Sequence, residues 1–214
     1  MDNAEDDNTL VCDIITYVVA AYHTSTFMLV WSLYHVASRS DVQEKIYNEV
    51  TNVLGSKSNV EPDNYSQLQY TMQVLMESLR WSTLGPFAAR VNTEANTTVQ
   101  GYTIPKNTPI VQALGVVHMD EKIWPEPDRF DPDRFSPTEI KKRHGMSFQP
   151  LGFAGQRICP GHRFAYAEGV VFLASICRRL RFQIVEGQNI QRRYGFVTIP
   201  DTEIWVTASK RDAM

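Results

Sequence analysis

The chain has 214 residues, of which 43% are apolar and 11% aromatic, so it carries enough apolar side chains to bury a core. This composition excludes a disordered or fibrous protein, and a net charge of -3 provides no basic field that would favour nucleic acid as a partner. Three cysteines without a C-x-x-C spacing indicate neither a disulfide framework nor a zinc site, which favours a reducing, cytosol-facing setting.

A long apolar segment, Leu10–Val36, is the first predicted element. Its length and its content of Val, Ile, Leu, Phe and Trp are compatible with a membrane span. The polar run His23–Thr26 lies at its middle, however, where polar groups are most costly in lipid. The pattern therefore predicts a central buried helix with a polar notch. A membrane-anchored interaction protein that uses residues 10–36 as a span remains an open alternative.

Two amphipathic helices are predicted next. Ser40–Gln43 matches a capping box, and apolar residues follow one helix face as far as Gly55, which favours a helix end. After a polar loop, apolar residues recur at helical spacing over Leu68–Leu79. Glu77 and Arg80 lie one turn apart on this second helix.

The second half of the chain changes pattern several times. Short β-type runs over Ala88–Leu114 predict a small antiparallel meander, and the prolines of Trp124–Pro150 predict an irregular loop. Gly161–Leu180 is a strongly apolar helix, and Arg181–Val185 and Tyr194–Ala208 are predicted strands joined as a hairpin-like sheet. The expected fold class is mainly α with minor β, without an internal domain boundary.

The sharpest chemical signal is the segment Gly155–Gly161, G-Q-R-I-C-P-G, which carries Cys159 immediately before the long apolar helix. Glycines let the backbone approach a flat ligand closely. A helix N-terminus and nearby amides stabilise a thiolate over a thiol, and a thiolate can bind iron. A buried structural thiol is the alternative, and it is the interpretation given to Cys12 and Cys177, because both lie inside apolar helices.

Four motifs together resemble the cytochromes P450, a family of haem-thiolate monooxygenases. The G-x-R-x-C-x-G pattern before a helix resembles the haem-binding loop of that family. Glu77–Arg80 (E-S-L-R) resembles its E-x-x-R helix, and Phe130–Phe135 (F-D-P-D-R-F) resembles the loop whose arginine completes a Glu-Arg-Arg network. Ala20–Thr24 (A-A-Y-H-T) resembles the oxygen-binding notch of the long central helix. One E-x-x-R alone is an ordinary surface pair, whereas four motifs in this order are specific.

The resemblance implies haem b as the cofactor, with Cys159 as the axial thiolate whose electron donation favours O–O cleavage. Arg157 and Arg90 would hold the haem propionates, since the arginine fork gives bidentate, charge-assisted bonds to carboxylates. For Arg90 the alternative is a solvated arginine on a strand. The same cofactor-binding loop would also include three further residues, Gly155, Gly161 and Phe153.

The resemblance also implies roles away from the cysteine. Glu77, Arg80 and Arg134 would form a buried ion network that fixes the loop beneath the haem, which is a structural role. Thr24 would hydrogen-bond the bound oxygen or the water that protonates it, and His23 would take part in proton delivery. For Thr24 the alternative is a hydroxyl that bonds to a carbonyl one turn earlier.

The sequence departs from the family pattern in three respects. His23 stands where an acid normally precedes the threonine, which alters the usual proton route. Gly152 occupies the position of the expected phenylalanine seven residues before the cysteine, and Phe153 follows one residue later. The N-terminal half is expected to be missing, with its membrane anchor and much of the substrate pocket. Residues 1–214 would then be a single incomplete haem-thiolate monooxygenase domain, nearest to the animal orphan group called family 20.

The function that the resemblance implies is the insertion of one oxygen atom of O2 into an organic, lipophilic substrate. An NADPH-dependent reductase would donate the electrons, and nucleic acid is not an expected partner. The full-length protein would associate with the endoplasmic reticulum membrane through its N-terminal half and face the cytosol. Two alternatives remain: a non-catalytic haem-binding or regulatory protein of the same fold, and a truncated isoform without activity.

Overall fold

The computed structural model describes residues 4–152 and 157–211. Seven α-helices lie within these residues: α1 (Ala4–Ser38), α2 (Ser40–Leu54), α3 (Pro62–Tyr65), α4 (Gln69–Ser82), α5 (Leu114–His118), α6 (Pro137–Ile140) and α7 (His162–Arg179). Eight short strands accompany them: β1 (Phe87–Val91), β2 (Thr97–Val99), β3 (Tyr102–Ile104), β4 (Pro109–Ala113), β5 (Leu180–Ile184), β6 (Arg192–Arg193), β7 (Ile199–Pro200) and β8 (Val206–Lys210). The mainly α class with minor β is confirmed.

Helix α1 is buried along only part of its length. Met28, Trp31 and Val36 in its second half lie in the core, and Ser32 on the same face donates a hydrogen bond to the Met28 carbonyl. The apolar side chains of its first half are exposed: Leu10, Val11, Ile14, Ile15, Tyr17, Val18, Val19 and Tyr22. The prediction of a central buried helix is therefore right for the second half and wrong for the first half in this chain.

By length and composition, the part of α1 from Asp7 to Ser38 is apolar enough to cross a membrane, and 11% of its most apolar window is buried. Core helices of soluble proteins meet the same criteria, so this property alone does not indicate a span. The polar residues at the middle of the helix remain the argument against one.

Helix α2 presents a regular apolar face to the core. Val42, Ile46 and Val50 are fully buried, and Gly55 ends the helix with a φ of 54°, in the left-handed region that favours glycine. The predicted capping box is wrong, because the N-cap is Arg39 and no side chain caps the helix. Ser40 is already the first helical residue, which prevents its hydroxyl from bonding back to the first turn.

The core lies where α1, α2, α4 and α7 pack together. Helices α4 and α7 approach closely at Gly169, where a β-carbon would lie 2.6 Å from Cδ2 of Leu75 and 2.7 Å from its Cδ1. Leu75 is fully buried, so its side chain has no free space into which it could move. The glycine therefore allows the helix that follows the cysteine to pack directly on the helix that carries E-x-x-R.

The predicted antiparallel meander is present in a different topology. Strand β1 pairs with β4, and β2 pairs with β3 as a hairpin enclosed between them, so successive strands are not all neighbours. The hairpin turn is made by Gln100 and Gly101, whose φ values of 48° and 85° match the twist of a two-residue turn. The tight turn thus pairs the two inner strands with each other, and the two outer strands pair around them.

The C-terminal strands are shorter than expected. β5 pairs with β8 and β6 pairs with β7, and Tyr194–Thr198 is not part of a strand. Thr198 explains the interruption, because its amide donates to the Leu84 carbonyl and its hydroxyl to the Thr83 carbonyl. The Thr198 carbonyl accepts from Nε1 of Trp31. The hydrogen bonds of this segment therefore connect it to α1 and to the end of α4 instead of to a second strand.

The proline-rich segment from Trp124 to Pro150 is irregular, as predicted. A 3-10 turn at Pro132–Phe135 and helix α6 both begin at a proline, where a missing amide hydrogen is tolerated. Asp131 and Ser136 cap these turns through their side chains. This segment packs against α4 through its 3-10 turn and leads to the cysteine loop.

Candidate functional site

Glu77 and Arg80 form a fully buried ion pair on α4. Arg80 Nε donates to Glu77 Oε2 at 2.7 Å and Arg80 Nη2 donates to Oε1 at 2.8 Å, so the pair is bidentate. Both side chains have 0% exposure. Burial raises the pKa of the Glu77 carboxyl, while the hydrogen bonds from Arg80 and the nearby charges oppose the rise. The ionised pair is thus stabilised by its geometry against the cost of desolvation.

The same two side chains also bind the backbone of the loop below α4. Arg80 donates from Nη1 to the His118 carbonyl at 2.9 Å and from Nη2 to the Pro127 carbonyl at 2.8 Å. Glu77 Oε1 accepts the Asp131 amide at 2.9 Å. The pair therefore fixes three separate points of the segment that leads to the cysteine.

Arg134 lies beside this pair. Its Nε is 3.5 Å from Glu77 Oε1, an ion-pair distance without a hydrogen bond, and its side chain is 11% exposed. Its Nη2 donates to the carbonyls of Pro125 and Glu126 at 2.6 and 2.9 Å. The three side chains that the resemblance groups together do meet, with Arg134 bonded mainly to the loop.

An aromatic layer that the sequence does not predict supports this network. Trp124 is fully buried and contacts Phe135, with ring centroids 5.6 Å apart, and Phe135 contacts Phe148 at 4.6 Å. The guanidinium of Arg143 stacks 4.3 Å above the Trp124 ring, and that of Arg80 lies 5.3 Å from it. Cation–π contacts of this kind connect the buried charges to the packing of the proline-rich loop.

Cys159 lies nine residues beyond the end of the proline-rich loop. It is half-buried and forms no disulfide. Its amide donates to the Leu151 carbonyl at 3.0 Å. Its carbonyl accepts from the His162 amide at 3.1 Å and from Nδ1 of the His162 ring at 2.8 Å. The cysteine backbone is therefore fixed on both sides immediately before α7.

Gly161 adds no backbone strain to this arrangement. Its φ of -81° is available to any residue, and a β-carbon there would make an ordinary contact of 3.8 Å with Cys159 Sγ. A requirement for glycine at this position would therefore come from close approach of a ligand to the backbone.

The structure shows less about the other residues that were assigned to the cofactor. Arg157 is exposed two residues before the cysteine, and Arg90 is exposed on β1, where its Nη1 donates to the Ala89 carbonyl at 2.7 Å. Phe153 and Gly155 lie outside the described residues. Within the described part of the chain, both arginines are therefore exposed, one on the cysteine loop and one on β1.

Thr24 and His23 lie at the middle of α1, far along the chain from the cysteine. The Thr24 hydroxyl donates to the Ala20 carbonyl at 2.7 Å, which is the geometry of the alternative interpretation. His23 is exposed and stacks on Phe27, with ring centroids 6.5 Å apart. The next residue, Ser25, donates to Glu168 Oε2 on α7 at 2.8 Å, so this part of α1 contacts the helix that follows the cysteine.

The three cysteines differ in their fitness as iron ligands. Cys177 is buried, and burial raises the pKa of its thiol to about 12, so it stays protonated. Cys12 is exposed on α1, so its interpretation as a buried structural thiol is wrong in this chain. Cys159 alone among them lies in a loop immediately before a helix N-terminus.

Comparison with known proteins gives a consistent result. The family model described as Cytochrome P450 matches residues 2–207. Cytochrome P450 20A1 of Homo sapiens is 34% identical over 96% of this chain and 43% of its own length. Cytochrome P450 2U1 of Homo sapiens is 32% identical over 91% of this chain and 36% of its own, and probable cytochrome P450 4ac1 of Drosophila melanogaster is 33% identical over 96% and 40%.

The chain spans about two fifths of the length of these curated relatives, which agrees with a C-terminal half of the fold. The resemblance to family 20 is confirmed by the match to the 20A1 proteins.

Proposed function

Because the chain belongs to the cytochrome P450 family, we propose that it is the C-terminal half of a haem-dependent monooxygenase. Residues 1–214 form a single incomplete domain in this proposal, and the substrate is organic and lipophilic. The observation that carries the proposal is the free, half-buried Cys159, held at the N-terminus of α7 by bonds from its own backbone.

Cys159 provides the axial thiolate of haem b in this proposal. Its amide and carbonyl are both occupied by backbone or histidine partners, so its side chain is presented from a fixed loop. The partial positive charge of the α7 N-terminus favours the thiolate. When bound, haem supplies the activation of O2. Gly155, Gly161 and Phe153 belong to the same cofactor-binding loop.

Arginine side chains hold the propionates. Arg157 and Arg90 are both exposed in this chain. Planar guanidinium groups suit carboxylates because two parallel N–H bonds can form. Glu77, Arg80 and Arg134 contact the loop backbone, so the proposal assigns them a structural role.

Thr24 and His23 are assigned to proton delivery. The Thr24 hydroxyl now donates to the Ala20 carbonyl, and a rotation about χ1 would free it to hydrogen-bond an oxygen ligand or a water. His23 replaces the usual acid, and since either nitrogen of an imidazole can carry the proton, it can pass a proton through a bridging water.

The partner in this proposal is an NADPH-dependent reductase. An open groove of about 490 Å³ beside the proline-rich loop carries the basic side chains of Lys122, Lys142 and Arg143. A basic surface favours encounter with an acidic protein surface. In this proposal the complete protein sits at the endoplasmic reticulum membrane and faces the cytosol.

A non-catalytic haem-binding or regulatory protein of the same fold is the second candidate. Two observations favour it: the Thr24 hydroxyl is bonded to its own helix, and His23 is exposed where an acid is usual. A truncated isoform without activity is a third. Haem binding alone does not separate these from the monooxygenase.

The test uses the complete protein, expressed from a coding sequence that includes the upstream transcript. Reductase and NADPH are added to it. If the protein is a monooxygenase, we expect a thiolate-type Soret band in the reduced carbonyl complex and a product that contains oxygen from O2. A thiolate band with no product from a broad panel of lipophilic compounds favours the non-catalytic candidate. Absence of a thiolate band overturns both.

A further inference from the structure

His118, the last residue of α5, has both ring nitrogens engaged inside the core. It is 1% exposed. Its Nδ1 lies 3.0 Å from the Thr83 hydroxyl, and its Nε2 lies 3.0 Å from the Gln149 amide. No sequence motif marks this residue. It joins three segments that are distant in the chain: the end of α4, the end of α5 and the start of the cysteine loop.

The partners determine which nitrogen carries the proton. The Gln149 amide can only donate, so Nε2 must accept. The Thr83 hydroxyl already donates to the Arg80 carbonyl at 2.8 Å, so its oxygen accepts from Nδ1–H. Both bonds require a neutral imidazole with the proton on Nδ1. Burial and the nearby Arg80 charge lower the pKa of His118 to about 4, which agrees with the neutral form.

Hydrogen bonds connect this histidine to both ends of the site. Arg80 donates to the His118 carbonyl at 2.9 Å, and the His118 ring accepts the Gln149 amide. Two residues after Gln149, the Leu151 carbonyl accepts the Cys159 amide at 3.0 Å. A continuous path of bonds therefore leads from the Glu77–Arg80 pair, through His118, to the backbone of the cysteine.

We propose that His118 is a positioning residue whose Nε2 holds the Gln149 amide and thereby fixes the start of the loop that presents Cys159. The inference rests on the proposed function, because it assigns the geometry of the loop to the ligation of iron. His118 does not contact the ligand and takes no part in the chemistry. Its contribution is to keep Leu151 in place, so that the Leu151 carbonyl remains in position to accept the Cys159 amide.

Variants that keep or remove the hydrogen-bond acceptor at the position of Nε2 separate this role from simple packing. In His118→Gln the side-chain oxygen reaches the position of Nε2 and can still accept the Gln149 amide, whereas in His118→Asn the amide nitrogen replaces Nδ1–H and Nε2 has no counterpart. Both variants lose the ring and its contact with Phe148, whose centroid is 5.5 Å away. Because Asn is one methylene shorter than Gln, His118→Leu is added: Leu fills about the same volume as Gln but has no acceptor, so it should behave like His118→Asn if the hydrogen bond matters and like His118→Gln if only packing matters. His144→Gln is the matched control, because this exposed histidine accepts the Met146 amide in the same segment.

The first measurement is amide hydrogen exchange at Gln149 in the complete protein without haem. We expect exchange at least about tenfold faster in His118→Asn than in His118→Gln, since only the former leaves the buried amide unpaired. The second measurement is the rate at which the haem-loaded protein loses its thiolate-type Soret band. That rate should rise by about the same factor in His118→Asn, and His118→Gln and His144→Gln should stay within about twofold of the parent.

Equal behaviour of the Gln and Asn variants in both measurements would overturn the proposal. If the parent shows no thiolate band, the proposed function fails, and the exchange measurement still decides whether His118 holds Gln149. Faster exchange in His118→Asn without any change in the band would also overturn the proposal, because the loop would then not depend on this bond.

Discussion

Arg134 Nε lies 3.5 Å from Glu77 Oε1 without a hydrogen bond, whereas Arg80 donates to the same carboxylate at 2.7 and 2.8 Å. The two arginines therefore contribute differently to one buried charge. Arg80 neutralises Glu77 and links it to the loop, while Arg134 adds positive charge from a position bonded to Pro125 and Glu126.

Arg80→Ala should impair folding and not chemistry. Removing it leaves Glu77 buried and without its bidentate partner, a loss on the order of 3–5 kcal/mol in the free energy of unfolding. The yield of soluble, haem-loaded complete protein should fall sharply, and Arg134→Ala should cost less. Arg129→Ala is the control, because that side chain is 58% exposed in its ion pairs. Normal expression with full haem content but slow turnover in Arg80→Ala would contradict the structural role.

Cys159→Ala should abolish thiolate ligation in the complete protein. No other cysteine lies in a loop at a helix N-terminus, and the pKa of Cys177 is raised to about 12 by burial. The reduced carbonyl complex should lose its strongly red-shifted Soret band. Cys12→Ser, an exposed site, should keep it. A red-shifted band in the Cys159→Ala protein would show that another residue is the ligand.

His118 should make stability depend on pH in mildly acidic solution. Its pKa is lowered from 6.5 to about 4 in the folded state, so the unfolded chain binds the proton more readily between these values. The contribution is complete above pH 6.5 and falls as pH decreases towards 4, by roughly 3 kcal/mol. His118→Gln cannot titrate, so its free energy of unfolding should decrease less over this window. Identical slopes in denaturant titrations of the two proteins would refute the prediction.

The chain as given should not behave as a soluble monomer. Leu10, Ile14 and Val18 are more than half exposed on one side of α1, and the neighbouring apolar residues enlarge the patch beyond what soluble monomers tolerate. Aggregation or retention by chaperones is expected for the isolated chain. Light scattering gives the test, and a monodisperse monomer that takes up haem stoichiometrically would disprove it.

His23 should weaken proton delivery without abolishing it. As an imidazole one residue before Thr24 on a helix, it points about 100° away from the threonine, so a bridging water is required. His23→Ala should raise peroxide release in the complete enzyme, and His23→Asp should restore or improve the ratio of product to reductant consumed. If both variants couple like the parent, the relay does not pass through His23.

Much of the fold could be predicted from local patterns. The apolar periodicity of α2, α4 and α7 and the prolines around Pro132 act over a few residues, and these elements lie where the sequence places them. The interruption at Thr198 could not be predicted, because its partners, Thr83 and Leu84, are more than a hundred positions away. The exposure of the first half of α1 depends on what packs against it, which its own periodicity does not encode.

Some residues of the candidate site could likewise be predicted from the sequence, and others could not. Glu77 and Arg80 are recognisable by a spacing of three on a helix, and Cys159 by its glycines. His118 has no such signal, because a single histidine after two valines is compatible with many environments. Its importance arises only when Thr83 and Gln149 are brought to its two nitrogens by the tertiary structure.

The contact between Gly169 and Leu75 has a genetic consequence. Every missense change at codon 169 adds at least one carbon atom, which would lie 2.6 Å from a leucine methyl that has nowhere to go. Such alleles should separate α7 from α4 and score as loss of function although the residue touches neither ligand nor loop. A second-site change that shortens Leu75, such as Leu75→Ala, should act as a suppressor of Gly169→Ala, since it restores the missing clearance.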